Sequence, residues 1–560
     1  MVPVAIALLL TAALPAKAAH APSAEGTRIA VATDHGDATR AAFGVLAAGG
    51  NAADAAITAA LSLGVVSQSS SGIGGGGFAM VYTAKDQKIT IIDFRETAPA
   101  KIDVEALSAR DWRNEDPTKR GVSVGILGEP AGLEMLSQKF GKRSLAEDAA
   151  PAVALAERGF FMGRNMANVT AFMKDRLPVS PEITATFAPG GSPIAFGALV
   201  RRPELAHTLT RFGAEGSKPF YSGDIAQKIV TAARGFGSEM EAADLVAYKP
   251  IERAPLVRTV DGKTIATMPA PSAGGLMLLE TAMMYGVTSA SPLKAMGFGS
   301  SAYLHTLGEA MRGAIGDRVR VASDPELEPG TAAAFDAALE PKQLAARKKR
   351  IDPKHTHKSS DFRTREQGTS HLITVDAEGN VVLITTTVNA PFGARIVAGD
   401  TGIVLNDELD DFTRPKDMAG FGVVGLGPNR ARGGARPVSS MVPTLVLENG
   451  QPILAVGGSG GERIATAVTQ MTMCRLVFGL DPNACLASSR IHVGGTNEMT
   501  IEPDLTEDVR AGLKARGEVV KESGIPIQPA VQMIAWDRAH GAPRILAAAD
   551  PRKAGFAAAQ

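Results

Sequence analysis

Residues 368–389, GTSHLITVDAEGNVVLITTTVN, constrain the fold more than any other stretch of the chain. Residues 370–376 and 381–389 are two β-branched, largely apolar runs, and Ala377-Glu378-Gly379-Asn380 between them is a loop of hairpin length. Asp376 is expected opposite Val381, and counting back along that ladder brings Thr369 and Ser370 beside Thr387 and Asn389. Hydroxyl and amide groups then gather at one end of the hairpin. A slip of one residue would keep them neighbours but change which of them share a face.

A polar hairpin end is ordinary, so the stretch before it decides the reading. Residues 342–367 are thick with Lys, Arg, His, Asp and Ser, show no apolar period, and read as a flexible solvated tail. A cuttable tail running into a Thr at the head of a strand suits a chain that cleaves itself between Gly368 and Thr369. The new N-terminal Thr369 would hold its own base, because its α-amine, with an ordinary pKa near ~8, can take the hydroxyl proton.

With GTSHLITVD and the following TTTVNAPFGARIVAGDTGIVLNDELDDF on the page, the chain resembles the γ-glutamyltranspeptidase family of N-terminal nucleophile hydrolases. The resemblance implies an α+β fold, a four-layer αββα sandwich, made from one precursor: a large subunit, 19–368, and a small catalytic subunit, 369–560, interleaved in one domain. It implies cleavage of γ-glutamyl amides, glutathione among them, through an ester on Thr369 that passes to water or to an amino-acid or peptide acceptor.

Further landmarks supply the rest of the expected site. Arg95, in DFRETAP at the exit of a strand, has the planar guanidinium suited to a carboxylate, and the resemblance gives it the substrate α-carboxylate. Glu408 and Asp411 in VLNDELDDF are expected to hold the α-ammonium, and Asn389 to orient the same head group. Arg95 and Asp411 would thus form the two ends of a zwitterion clamp. A second hairpin, residues 444–447 and 453–456 about the Asn449-Gly450 turn, is expected to set Ser439 and Ser440 opposite Ser459 and Gly460. The resemblance assigns both serines to the substrate carboxylate. Gly460 and Gly461 precede a helix reaching about Phe478, whose first N–H groups suit an oxyanion hole. Thr369, Thr387, Gly460 and Gly461 are the candidate catalytic residues. Ala273 and Leu127 depart from the family pattern, where Ser and Pro are commoner, but neither is assigned to chemistry.

Other features exclude or bound. The 58 basic and 58 acidic residues balance, which gives no electrostatic footprint for nucleic acid. SGIGGGGF, residues 71–78, formally matches a dinucleotide fingerprint, but a helical pattern precedes it and a strand follows, the reverse of the required order. It reads instead as close backbone approach, so no cofactor is expected. His355 and His357 have no accompanying ligand framework, so no metal is expected. Cys474 and Cys485 read more simply as small buried apolar residues than as a disulfide, although a pairing stays open. Residues 1–18 read as a signal peptide ending in Ala16-Lys17-Ala18, hence export to the periplasm or beyond, with an uncleaved anchor as the competing reading. Residues 413–434 are the candidate lid. The functional alternatives are a related acylase acting on β-lactam side chains, a nucleotide-dependent oxidoreductase, and a non-catalytic binding protein on the same fold.

Overall fold

The computed structural model describes residues 21–110, 116–357, 368–414, 427–523, 529–538 and 543–560. The signal segment, residues 415–426 of the candidate lid and the end of the tail before Gly368 lie outside the described residues.

Two seven-stranded sheets dominate. One runs Phe556–Ala559, Ala30–Thr33, Ser370–Val375, Val381–Thr387, Gly76–Thr83, Lys88–Phe94 and Ile251–Arg253 in spatial order. The other runs Ser23–Gly26, Arg544–Ala549, Ala530–Asp537, Gln451–Ser459, Thr444–Glu448, Lys263–Thr267 and Leu256–Val260. Strands from both sides of the Gly368–Thr369 bond occur in each sheet. The first sheet is buried on both faces. Ile373, Val375, Val381 and Leu383 join the core shared with the second sheet, while Leu372, Val382 and Ile384 pack with helices Gly36–Ala47 and Ala52–Val66. Helices Gly274–Tyr285 and Arg463–Phe478 cover the second sheet. This is the four-layer αββα sandwich, and burial on two faces is why its central strands read as nearly unbroken apolar runs.

The central hairpin forms one register away from expectation. Val375, not Asp376, faces Val381, and Ser370 faces Thr386. Asp376 instead belongs to the turn, where its carboxylate accepts from the N–H groups of Glu378, Asn380 and Ala52. The shift sets Thr369 across from Thr387, on the inter-sheet face with His371 and Ile373. Ser370 turns the other way and accepts from Ser71 Oγ at 2.8 Å.

The second hairpin also departs from expectation. Its ladder slips by one between Val446 and Leu447 and ends at Thr444 opposite Val456. Pro443 has no N–H to continue it. Gly457–Ser459 pair with residues 530–532 instead, and Ser439 makes a parallel bridge with Ser272.

The tail read as flexible is partly anchored. Pro341–Arg350 is a helix, held by buried Leu344 and by Arg347, which reaches Glu280 at 2.6 Å as well as Asp317. His357 pairs with Glu309, and Thr356 N–H donates to the Arg516 carbonyl at 2.7 Å. Long cationic side chains concealed the helix by making its exposed face dominate the composition. The first helix is capped by His35, whose side chain accepts from the Asp37 N–H. Asn51 and Asp54 form the capping box of the second. The glycine run behaves as expected, for a side chain at Gly74 or Gly75 would strike the carbonyl of Val404 or Thr387.

Cys474 and Cys485 form a disulfide with Cα atoms 5.8 Å apart, correcting the reading of two independent apolar residues. It staples helix Arg463–Phe478 to the short helix Pro482–Ala487. Replacing both cysteines by alanine is expected to lower unfolding stability by about 2–3 kcal/mol, measured by denaturant titration, and to leave turnover unchanged because the bond lies outside the site.

Candidate active site

Thr369 heads a central strand and is only 2% exposed. Its hydroxyl donates to the carbonyl oxygen of Gly368, and that oxygen also accepts from Thr387 Oγ1 at 3.1 Å. The Thr387 hydroxyl is itself oriented, since its oxygen accepts from Asn389 N–H at 2.8 Å. Asn389 holds a left-handed φ of 69°, which asparagine tolerates better than most residues, and its side-chain amide donates to the Asp407 carbonyl at 3.1 Å. The Gly368 carbonyl oxygen, at the head of the strand, thus accepts from two threonine hydroxyls, and the second of these is held in place by a backbone N–H.

Asn389 leads directly to the acidic 3₁₀ turn Glu408–Asp411. The expected clamp is not two separated ends. Arg95, 1% exposed, pairs through Nη1 with Glu408 and through Nη2 with Asp411 Oδ2 at 2.6 Å. Its Nε and Nη2 also donate to the carbonyls of Pro437 and Val438, both at 3.2 Å. Buried charges of opposite sign neutralise one another where water is excluded. Asp410 faces elsewhere, between Arg110 at 3.0 Å and Arg414 at 2.9 Å, so the acidic cluster divides into one pair on Arg95 and one structural carboxylate.

Ser439 and Ser440 follow the two carbonyls on Arg95 and are fully buried. Ser439 Oγ accepts from Met441 N–H at 3.1 Å, while Ser440 Oγ accepts from Arg318. Ala273, the departure noted above, serves through its backbone, donating to the Ser439 carbonyl at 2.9 Å. Gly460 and Gly461 adopt φ of 122° and 64° just before helix Arg463–Phe478, and a side chain at Gly460 would meet Pro529. Ser459, ahead of the pair, connects to Thr369 through Lys553, whose Nζ lies 2.8 Å from Ser459 Oγ and 2.6 Å from the Thr369 carbonyl. Contacts thus tie Thr369 to Ser459, the neighbour of Gly460, and Arg95 to Val438, the neighbour of Ser439.

Sequence reasoning missed Asp34, Arg318, Lys553 and Glu129. Asp34 and Lys553 lie near opposite ends of the chain, and no local pattern signals that they meet. Nothing in the local sequence around Arg318 indicates that it reaches Ser440. Glu129 accepts from Thr386 Oγ1 behind the hairpin, and full burial pushes its carboxyl up to about 8, the hydrogen bond opposing only in part. Between the ordinary carboxyl range and about pH 8 the unfolded chain releases this proton while the folded chain keeps it, so stability falls as pH rises across that window. Glu129→Gln is expected to be more stable than the parent at pH 8, by on the order of 1–3 kcal/mol in unfolding free energy, and to match it near pH 4. Melting curves at the two pH values check this. A parent whose melting temperature rises from pH 5 to 8 as steeply as the variant's would overturn it.

Comparison with known proteins places this geometry. A family model described as gamma-glutamyltranspeptidase matches residues 38–560. Glutathione hydrolase 2 of Arabidopsis thaliana is 32% identical over 94% of this chain and 93% of its own length. The glutathione hydrolase proenzyme of Escherichia coli K12 is 32% identical over 88% of this chain and 85% of its own. Among solved structures, a cephalosporin acylase from Bacillus halodurans superposes with a TM-score of 0.83 at 25% identity, covering 99% of both chains. The Helicobacter pylori gamma-glutamyltranspeptidase gives 0.53 at 28%, covering 62% of this chain and 95% of its own. With a family match spanning almost the whole chain, and a buried threonine at the head of a central strand, this protein belongs to the gamma-glutamyltranspeptidase family.

Proposed function

We propose that the chain is the precursor of a γ-glutamyl hydrolase and transferase that uses glutathione and related γ-glutamyl amides. The observation that carries the reading is the path from Thr369 through the Gly368 carbonyl, Thr387 and Asn389 to the Asp407 carbonyl, whose chain neighbour Glu408 pairs, with Asp411, on Arg95. It links a nucleophile to groups of both signs, as an amino-acid head group requires. An acylase on the same fold needs the threonine but not the paired charges, which favours the γ-glutamyl reading over that alternative.

Maturation begins when Thr369 Oγ attacks the Gly368 carbonyl carbon and the Gly368–Thr369 C–N bond breaks. The hydroxyl proton passes to the departing nitrogen, and water then hydrolyses the resulting ester. The freed α-amine takes the Thr369 hydroxyl proton in each later turnover. Attack on the γ-amide carbonyl forms a γ-glutamyl ester on Thr369, with the oxyanion held by the N–H groups of Gly460 and Gly461, and the leaving amine receives the proton. Water or an acceptor amine then takes the γ-glutamyl group. For the head group to seat, its carboxylate exchanges with those on Arg95 beside Ser439 and Ser440, and its ammonium takes over Asp411 and Glu408. Export is part of the proposal, supported by the apolar leader and by the disulfide, which persists in oxidising compartments.

The test compares a full γ-glutamyl donor with its des-amino analogue in the parent and in Asp411→Asn. The full donor is expected to lose about 10-fold or more in kcat/KM in the variant, and the des-amino donor much less. Equal losses would reduce the assignment to a generic amidase.

A further inference from the structure

We propose that Lys553 is a positioning residue, locking the backbone of the nucleophile Thr369 to the residue that precedes the Gly460-Gly461 pair. The inference rests on the reading of Thr369 as nucleophile given above. The Lys553 side chain is 6% exposed, and its ammonium has three acceptors: the Thr369 carbonyl at 2.6 Å, Ser459 Oγ at 2.8 Å and Asp34 Oδ2 at 3.0 Å. Three donors meet three acceptors, so the group is saturated. Asp34 is in turn held by Ser459 Oγ, which donates to it at 2.6 Å, by Gln532 Nε2, and by His371 N–H at 3.3 Å.

A buried lysine needs a counter-charge, and Asp34 alone would supply that. The other two contacts are what give the residue a catalytic bearing. Thr369 directly precedes strand Ser370–Val375 and Asp34 directly follows strand Ala30–Thr33 of the first sheet, while Ser459 and Gln532 lie in strands of the second, so the ammonium ties the sheets together at the end where nucleophile and glycines must face each other. It does so through the carbonyl of Thr369 itself, which fixes the rotation of that residue about its Cα–C bond. Before cleavage Gly368 also restrains Thr369 from its N-terminal side. Afterwards that covalent restraint is gone, and the Lys553 contact is among those that still set where the α-amine and hydroxyl point. Reacting groups displaced by about 1 Å can lose roughly 100-fold in rate.

The variants are Lys553→Met and the double Lys553→Met/Asp34→Asn, the second avoiding a buried unpaired carboxylate. Processing is followed by mass spectrometry, and kcat and KM are measured with γ-glutamyl-p-nitroanilide. Both variants are expected to show kcat lowered about 100-fold with KM within about threefold of the parent. A folded double variant with kcat within about threefold of the parent would overturn the proposal. If neither variant folds, Ser459→Ala, which keeps the Lys553–Asp34 pair, is expected to lower kcat about 10-fold at unchanged KM, and an unchanged kcat overturns it equally. A parent that processes itself yet turns over no γ-glutamyl donor would sink the substrate assignment instead. Lys553 would then be judged from the processing half-time, expected to lengthen in the double variant, and an unchanged half-time would count against it.

Discussion

Thr369→Ala is expected to accumulate as an uncut chain with no measurable γ-glutamyl turnover, because the same hydroxyl makes the cleavage and the later ester. The parent should yield a fragment whose first residue is Thr369, seen by N-terminal sequencing or intact mass. The alanine variant should keep the parent's fold, since the hydroxyl's described contact is to the neighbouring Gly368 carbonyl and the side chain loses little volume. Thr387→Ala is the instructive companion: it removes the 3.1 Å donor on that carbonyl but leaves the nucleophile, so cleavage should slow by about 100-fold rather than stop. A small fragment starting at any other residue would end the mechanism.

Arg95→Met is expected to cost about 3–5 kcal/mol of stability as well as activity, because it leaves the buried carboxylates of Glu408 and Asp411 without their shared cation. Glu96, buried 4.0 Å from the same guanidinium, adds no charge of its own near neutral pH, because burial pushes its carboxyl up to about 8 and loss of the cation would keep it protonated. The triple variant Arg95→Met/Glu408→Gln/Asp411→Asn removes all three partners together and should regain most of the stability while remaining inactive on γ-glutamyl donors. Denaturant unfolding and turnover, measured on both proteins, separate the two roles. A single variant as stable as the parent would mean that the ion pairs contribute little to the fold.

What could be read from sequence follows from how local each signal is. The hairpin was legible because its loop and β-branched runs lie within one stretch, yet its register was missed by one since the Asp376 carboxylate organises the turn through two of its backbone amides and also accepts from the distant Ala52 N–H. Ser439 and Ser440 were given the wrong strand partners, because Pro443 ends the ladder early and a slip lies within it. Arg95, Glu408 and Asp411 were selected individually by resemblance. Their mutual pairing is a tertiary fact with no sequence signature. Lys553 and Asp34 stand more than five hundred residues apart in number, and only the layering of two sheets joins them. Helix Pro341–Arg350 shows the opposite failure, in which a polar composition masked the single buried Leu344.

The strand that begins at Ser370 is flanked on both sides, by Ala30–Thr33 and by Val381–Thr387. Chain ends usually fray, because a terminal residue has few neighbours and regains its entropy by leaving them. The end that cleavage creates here would arise already stitched into the middle of a finished sheet. Its ordering would have been settled while the chain was still whole, so the new terminus could begin work as a fixed reagent rather than a loose one.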